Sequence, residues 1–420
     1  MKRSTRTMRL ASVAAAGVLV LAACGGGGDD DGDSGSAAES PSDGVLTFGS
    51  LLPQTGSLAF LGPPEFAGVD LAVAEINEAG GVLGEEVVHV KGDSGDTDSG
   101  IAPDETDRLL DAGADVIVGA ASSGVSMTVI DKIMNAGAVM FSPANTSTDF
   151  DLGDYSEPDL YFRTAPSDIL QGAVLSNLLI QDGKQNVAIL ARQDSYGETL
   201  AEQVGEGLEA AGSTVAATVF YGENAQSYDS QVADIAASDP DAVLLIAFEE
   251  TTTIVPQLVS AGVGPQAIDT YFVDGNTADY SETLDEGLLE GVKGTIPGAD
   301  SSQDFKDRLL EVDAELDSFA YAAESYDAVI VSALAAVAAD SDAGSAIAEE
   351  IVNVTRDGEK CTTFAECLEL LEAGEDIDYD GVSGPIELGE TGSPTAASIG
   401  IYEYDGNNQI EAVDFIDGNI

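Results

Sequence analysis

From residue 45 onward, short apolar runs rich in β-branched residues alternate with stretches of helical period. Candidate strands are "VLTFGSLL" (45–52), "EVVHVKGD" (86–93), "ADVIVGA" (114–120), "AVMFSP" (138–143), "NVAILARQD" (186–194), "TVAATVFY" (214–221), "AVLLIAF" (242–248) and "TYFVDG" (270–275). Between the first two, "EFAGVDLAVAEINEAGG" puts Phe66, Val69, Val73 and Ile76 on one helical face and stops at Gly80-Gly81. Strand-helix alternation of this kind predicts an α/β fold of parallel sheets covered by helices. About 375 residues take part, too many for one comfortable core and right for two lobes. "YFRTAPSD" (161–168) falls between two strand series and reads as a crossover from lobe to lobe.

The chain begins differently. Lys2, Arg3, Arg6 and Arg9 precede an apolar run, Leu10 to Ala23, that closes on small residues. This is the layout of a secretory signal, and its 14 residues fall short of the ~20 needed to span a bilayer. Leu21-Ala22-Ala23-Cys24 resembles a bacterial lipobox, which makes residues 1–23 a lipoprotein signal peptide and Cys24 the lipidated N-terminus. An ordinary signal peptide with an incidental cysteine is the other reading. Residues 24–44, rich in Gly, Ser and Asp, have almost nothing to bury and form a tether. No later run reads as long and apolar enough to cross a membrane.

Charge narrows the partners. The formal net charge is −61, and losing the four basic residues of the signal takes it to −65. Such a surface repels nucleic acid and anionic head groups and favours solubility. Besides Cys24, the cysteines are Cys361 and Cys367 in "CTTFAEC". Outside the cytoplasm they are expected to form a disulfide, and so small a loop contributes about 2 kcal/mol in the chain-entropy account. A zinc site would need two further ligands, and His89 is the only histidine.

In open parallel sheets ligands bind beyond the carboxyl ends of the strands. There the sequence places Ser122, Ser123 and Gly124 opening a helix, Ala144-Asn145-Thr146, Ser195-Tyr196-Gly197, and Asp274-Gly275. Hydroxyls and backbone N–H groups at a helix start hold an anion without a cation. Asp274 on the other lobe could hold an ammonium, and Tyr196, Phe248, Tyr321 and Tyr326 could surround an apolar side chain. A zwitterion with a side chain fits that set. Taken singly, the serines are equally N-caps, Asp274-Gly275 a turn, and the tyrosines core residues.

"GSLLPQTGSLAFLGPPEFAGVDLAVAEINEAGGVLG", "FSPANTS", "YFRTAPSD", "SYGETLA" and "AESYDAV" resemble the type I periplasmic binding proteins, in particular the leucine/isoleucine/valine-binding branch that feeds ABC importers. "GEKCTTFAECLELLEAGEDIDYDGVSGPIEL" is similar to Gram-positive lipoprotein members. The resemblance runs from about residue 45 to the C-terminus. It implies two doubly wound parallel-sheet lobes joined by crossover hinges, with 45–165 and 299–385 in lobe 1 and 166–298 and 386–420 in lobe 2. It also implies that Ser123, the Ala144 backbone and Thr146 bind a ligand carboxylate, with Thr146 touching the ammonium as well. Asp274 falls at the ammonium-binding acid, Tyr196 at a cleft tyrosine, and Phe248 and Tyr321 at pocket walls. Leu61, with Phe60 beside it, stands where the family has an aromatic before the glycine of its first loop.

Catalytic chemistry finds little to use. His89 lies in a strand-like run, so no Ser/His or Cys/His nucleophile is expected. "DSGDTDSG" (93–100) has a calcium loop's composition without its spacing or closing glutamate. Gly25 to Gly28 lacks the Lys-Ser/Thr of a phosphate loop. The expected protein is therefore no enzyme and needs neither cofactor nor metal. It is a monomeric, lipid-anchored receptor on the outer face of the cell membrane that delivers a branched-chain or related amino acid to ABC permease subunits. The alternatives are a receptor for urea, short amides or aromatic carboxylates, or a sensory module without a transporter.

Overall fold

The computed structural model describes residues 42–420 except 153–154, 156–159, 224 and 226. The signal sequence, Cys24 and nearly all of the tether lie outside the described residues.

Alternation along the chain becomes alternation in space. The first series runs β1 (Thr47–Leu52), α1 (Gly62–Glu78), β2 (Val88–Asp93), α2 (Ala102–Asp111), β3 (Val116–Gly119), α3 (Ser123–Asn135), β4 (Val139–Ser142) and β5 (Tyr161–Arg163). Its strands form one sheet in the order β2-β1-β3-β4-β5, parallel throughout. The second series continues with α4 (Asp168–Gln181), β6 (Asn186–Arg192), α5 (Ser195–Ala210), β7 (Thr214–Tyr221), α6 (Asp229–Ala237), β8 (Ala242–Ile246), α7 (Thr251–Ala261), β9 (Asp269–Phe272) and β10 (Lys293–Pro297). After it come α8 (Gln303–Val312), α9 (Ala322–Ala339), α10 (Gly344–Ile351), β11 (Glu359–Cys361), α11 (Phe364–Ala373), β12 (Ile377–Gly381), β13 (Gly384–Pro385), β14 (Ala396–Tyr404) and β15 (Ile410–Asn419). The second sheet has the order β15-β14-β10-β9-β8-β6-β7, parallel from β10 to β7 and closed at the other edge by antiparallel β14 and β15.

Each sheet buries both faces, which is why its central strands read as continuous apolar runs rather than alternating ones. Phe48, Val116, Val118 and Phe141 pack toward α1 and α9, while Leu51, Ile117 and Met140 pack toward α2 and α3. In the second sheet Val187, Ile189 and Leu244 face α4 and α5, and Ala188, Leu190 and Leu245 face α6 and α7. These are two doubly wound α/β halves. The chain passes between them after β5, after β10 and after β13.

Helix α9 departs from the sequence reading. Its 18 residues have a mean hydropathy of 1.4, enough by length and composition to cross a membrane, yet 83% of it is buried within the fold. It is apolar all round because α1, α10 and the first sheet surround it. Among the described residues no other helix meets that test. Cys361 and Cys367 are joined by a disulfide, with Cα atoms 5.4 Å apart, tying the end of β11 to the first turn of α11.

Candidate ligand site between the two sheets

The carboxyl ends of the two sheets face each other. A cavity there is lined by Leu58 and Leu61 after β1, Ala121, Ser122 and Ser123 after β3, and Ala144 after β4. From the second sheet come Tyr196 after β6, Phe248 after β8, and Asp274 and Gly275 after β9, and Tyr321 closes it from the start of α9. Its volume is about 20 Å³, room for about one water. An amino acid enters only if the walls separate.

On the first-sheet side, Ser122 caps α3 by accepting the Val125 N–H at 3.4 Å, so the helix presents its N-terminal end to the cavity. The loop after β4 is held from behind. Buried Arg163 donates to the carbonyls of Asn145 (3.2 Å) and Ser147 (2.9 Å), and the Asn145 side chain donates to the carbonyls of Ala120 (3.0 Å) and Ala121 (2.9 Å). The arginine of "YFRTAPSD" thus shapes the loop that carries Ala144 and Thr146.

On the second-sheet side the hub is Asp274, 7% exposed. Its Oδ1 accepts from the Tyr196 hydroxyl at 2.5 Å and Gln171 Nε2 at 2.9 Å, and its Oδ2 accepts from the Tyr321 hydroxyl at 2.8 Å. Three side-chain donors therefore converge on this carboxyl, and its own backbone N–H adds to them. Burial raises the pKa of Asp274, opposed by these same hydrogen bonds. Burial and the Asp274 charge hold the Tyr196 and Tyr321 phenols well above their usual value, so both remain O–H donors.

Aromatic walls complete the site. Tyr196 and Phe248 stack with centroids 5.5 Å apart, and the Arg192 guanidinium lies 3.5 Å from the Phe248 ring centre. Gly275 is required here: a Cβ on it would come within 2.5 Å of the Phe248 ring. Arg192 itself is neutralised by Asp194, Glu250 and Glu223, so its charge is not offered to a ligand.

Leu61, Ser122, Ser123, Ala144, Tyr196, Phe248, Asp274 and Tyr321 therefore meet at one cavity, and three expected residues do not border it. Thr146 is buried one layer below. Its hydroxyl lies against the carboxyl of buried Asp168, which is pushed up to about 8 by burial and by Asp274. Phe60 borders a neighbouring, larger cavity. Tyr326 is a correction: five residues after Tyr321 it points roughly 140° away around α9. Its ring packs on Phe305 and its hydroxyl donates to Glu75 at 2.5 Å, inside the first half's core. Leu58 and Gln171 were not anticipated. Leu58 lies near the expected Phe60 and Leu61, whereas Gln171, inside α4, carries no sequence signal.

His89 also differs from expectation. Ser50 Oγ lies 2.7 Å from its Nε2, and its Nδ1 lies 2.9 Å from Asp70 Oδ1, the linkage of a nucleophilic triad. Ser50 is wholly buried on β1, however, with no access for a substrate. The relay fastens β1, β2 and α1 together.

The match to known proteins is broad. A family model for periplasmic binding protein matches residues 45–408. The chain belongs to the periplasmic binding protein family. It is a solute-binding protein rather than an enzyme, and the family implies an extracytoplasmic location. A chemotactic signal-transduction substrate-binding protein of Halobacterium salinarum is 26% identical over 360 residues, covering 82% of this chain and 83% of that one. Leu/Ile/Val-binding protein homolog 7 of Brucella abortus is 29% identical over 240 residues, 55% of this chain and 60% of that protein. Among solved structures, a leucine-binding protein of Thermotoga maritima has a TM-score of 0.72 at 21% identity, covering 89% of this chain and 99% of its own. A benzoate complex from R. palustris has a TM-score of 0.69 at 18% identity, with 90% and 98% covered. These likenesses establish the type I fold.

Proposed function

We propose that this periplasmic binding protein is a receptor for an α-amino acid of the branched-chain class, anchored through Cys24 to the outer face of the cell membrane, which hands its ligand to the permease of an ABC importer. The observation that carries the ligand class is Asp274, a buried carboxyl in the cavity wall that no cation among the described residues pairs with. An ammonium supplies that pairing, whereas the carboxylate of an aromatic acid would meet like charge there. Across the cavity, the N-terminus of α3 and the Ser122 and Ser123 hydroxyls suit the ligand carboxylate. Leu58, Leu61, Tyr196 and Phe248 suit an apolar side chain. The names of the Brucella and Thermotoga relatives point the same way.

In this reading 45–165 with 299–385 and 166–298 with 386–420 act as two lobes hinged at the three crossings. Contacts from both lobes to one ligand favour the closed form. Small-angle scattering should show a smaller radius of gyration once a bound amino acid saturates the protein, and an unchanged radius at saturation would refute closure. The anchor has its own test: wild-type protein should partition into detergent and Cys24→Ser protein should not, whereas equal partitioning would remove the lipid. A second reading, sensing without transport, draws on the chemotactic role in the name of the Halobacterium relative. An adjacent permease operon favours import, and its absence favours sensing.

A further inference from the structure

Beside the amino-acid cavity, and divided from it by Tyr321, lies a second cavity of about 530 Å³. It is bounded by the crossing after β10, the approach to α9, and strands β14 and β15. The half-buried rings of Phe60, Phe319, Tyr402 and Phe415 border it together with Tyr321. So does Glu324, only 4% exposed, whose carboxyl receives no hydrogen bond from any other described residue. Gly298, at φ +120°, makes room for that carboxyl, since a Cβ there would sit 2.6 Å from Oε1. Behind Glu324 lies Glu65 of α1, wholly buried with both oxygens unpartnered. Glu324 thus opens on a room walled by aromatic rings and is paired with no cation among the described residues, while Glu65 lies behind it, closed off from that room. The rim already shows the matching contact: Lys306 Nζ stands 6.0 Å from the Phe319 ring centre and 3.3 Å from Asp300.

We infer that this chamber is a second ligand site, which takes an organic cation of the primary or methylated ammonium class on its aromatic rings with the charge set against Glu324. Ammonium groups bind aromatic faces most strongly where both are desolvated, and a buried carboxylate adds a charge partner. The cation is either a free molecule or the far end of a longer ligand whose amino-acid end lies past Tyr321. Only the second case rests on the proposed amino-acid site. Burial pushes Glu324 up to about 8. The charged and titratable groups around it are Glu65 from α1, Tyr321 and Asp327 on either side of it in sequence, Asp300, Tyr402 and Lys306 across the chamber, and Asp279, Asp317, Asp405 and Glu411 elsewhere in its lining. A bound cation stabilises ionised Glu324, so binding tightens as pH rises through about 8.

Calorimetry on the full chain at high salt, where diffuse attraction to the acidic surface is screened, tests this with tetramethylammonium chloride and, separately, with lysine. The expected result is saturable binding of one of them, weakened about tenfold or more in both Glu324→Gln and Phe319→Ala, with leucine titrations unaltered. Binding of tetramethylammonium identifies a free cation, and binding of lysine alone identifies a ligand tail. Each variant's melting curve confirms folding, and Tyr402→Leu supplies an independent wall change if Glu324→Gln does not fold. Saturation by neither probe, or binding that the variants leave intact, would overturn the inference. Failure of leucine to bind while tetramethylammonium does so sinks the amino-acid reading and leaves the chamber standing.

Discussion

Asp274→Ala is expected to weaken binding of an α-amino acid by about 30-fold or more, because removing one partner of a desolvated charge pair costs about 2 to 5 kcal/mol and each 1.4 kcal/mol is a factor of ten. The hydroxyls of Tyr196 and Tyr321 and the amide of Gln171 converge on this carboxyl, so its loss also frees the donors that hold the aromatic walls. Asp274→Asn separates the two effects: it keeps an acceptor for the phenols but carries no charge, so a large loss in both variants assigns the effect to the ammonium. A ligand that is a simple carboxylate would bind the alanine variant as well as wild type or better. Calorimetry of both variants with the same amino acid reads the result, and wild-type affinity in Asp274→Ala would remove this residue from the site.

Stability is expected to fall as pH rises from about 5 to 8. Burial, as the leading cause, holds Asp115 at about 7, Asp327 at about 6, and Asp168 and Glu324 at about 8, against roughly 4 in the unfolded chain. A carboxyl raised in the folded state keeps its proton where the unfolded chain has released it. Below about pH 4 both states are protonated and nothing is gained or lost. Between about 4 and the folded value the unfolded state binds fewer protons, so stability declines with pH and levels off near 8. Every pH unit that separates a carboxyl's folded and unfolded pKa corresponds to about 1.4 kcal/mol, so even after heavy discounting four such groups amount to several kcal/mol. Mutual repulsion at a net charge of −61 acts in the same direction. Asp70, Asp93 and Asp342 have lowered pKa values and act oppositely, but only as pH drops toward and below about 4. The melting temperature in dilute buffer should therefore peak on the acid side of neutrality and drop by several degrees by pH 8. A melting temperature that is flat or rising over that interval would contradict the burial of these carboxyls.

The strands that carry the site were legible because burial on both faces makes them continuous apolar runs, and the ligand positions follow from where those runs end. The antiparallel edge was not legible. β10, "KGTIP", is short and begins with Lys293, and β14 and β15 follow a stretch with no helix between them, so the alternation that betrays a parallel sheet is missing. Tyr321 and Tyr326 are both aromatic and both near the start of α9, and only the helix's phase sends one to the cavity and the other to the core. Gln171 and Asp168 sit in the first turns of α4, 103 residues from Asp274 in the case of Gln171, and nothing local in the sequence links them. The Ser50–His89–Asp70 relay was hidden for the same reason, since its members come from three separate elements. Composition indicated an acidic surface but not that Glu65, Glu324, Asp168 and Asp274 would be buried.

The central claim, that the cavity between the two sheets holds an α-amino acid, is tested most directly by calorimetric titration of the wild-type protein with leucine, isoleucine and valine alongside benzoate. The expected result is one-site saturation by at least one of the three amino acids and none by benzoate. Saturation by benzoate with no response to any amino acid would contradict it.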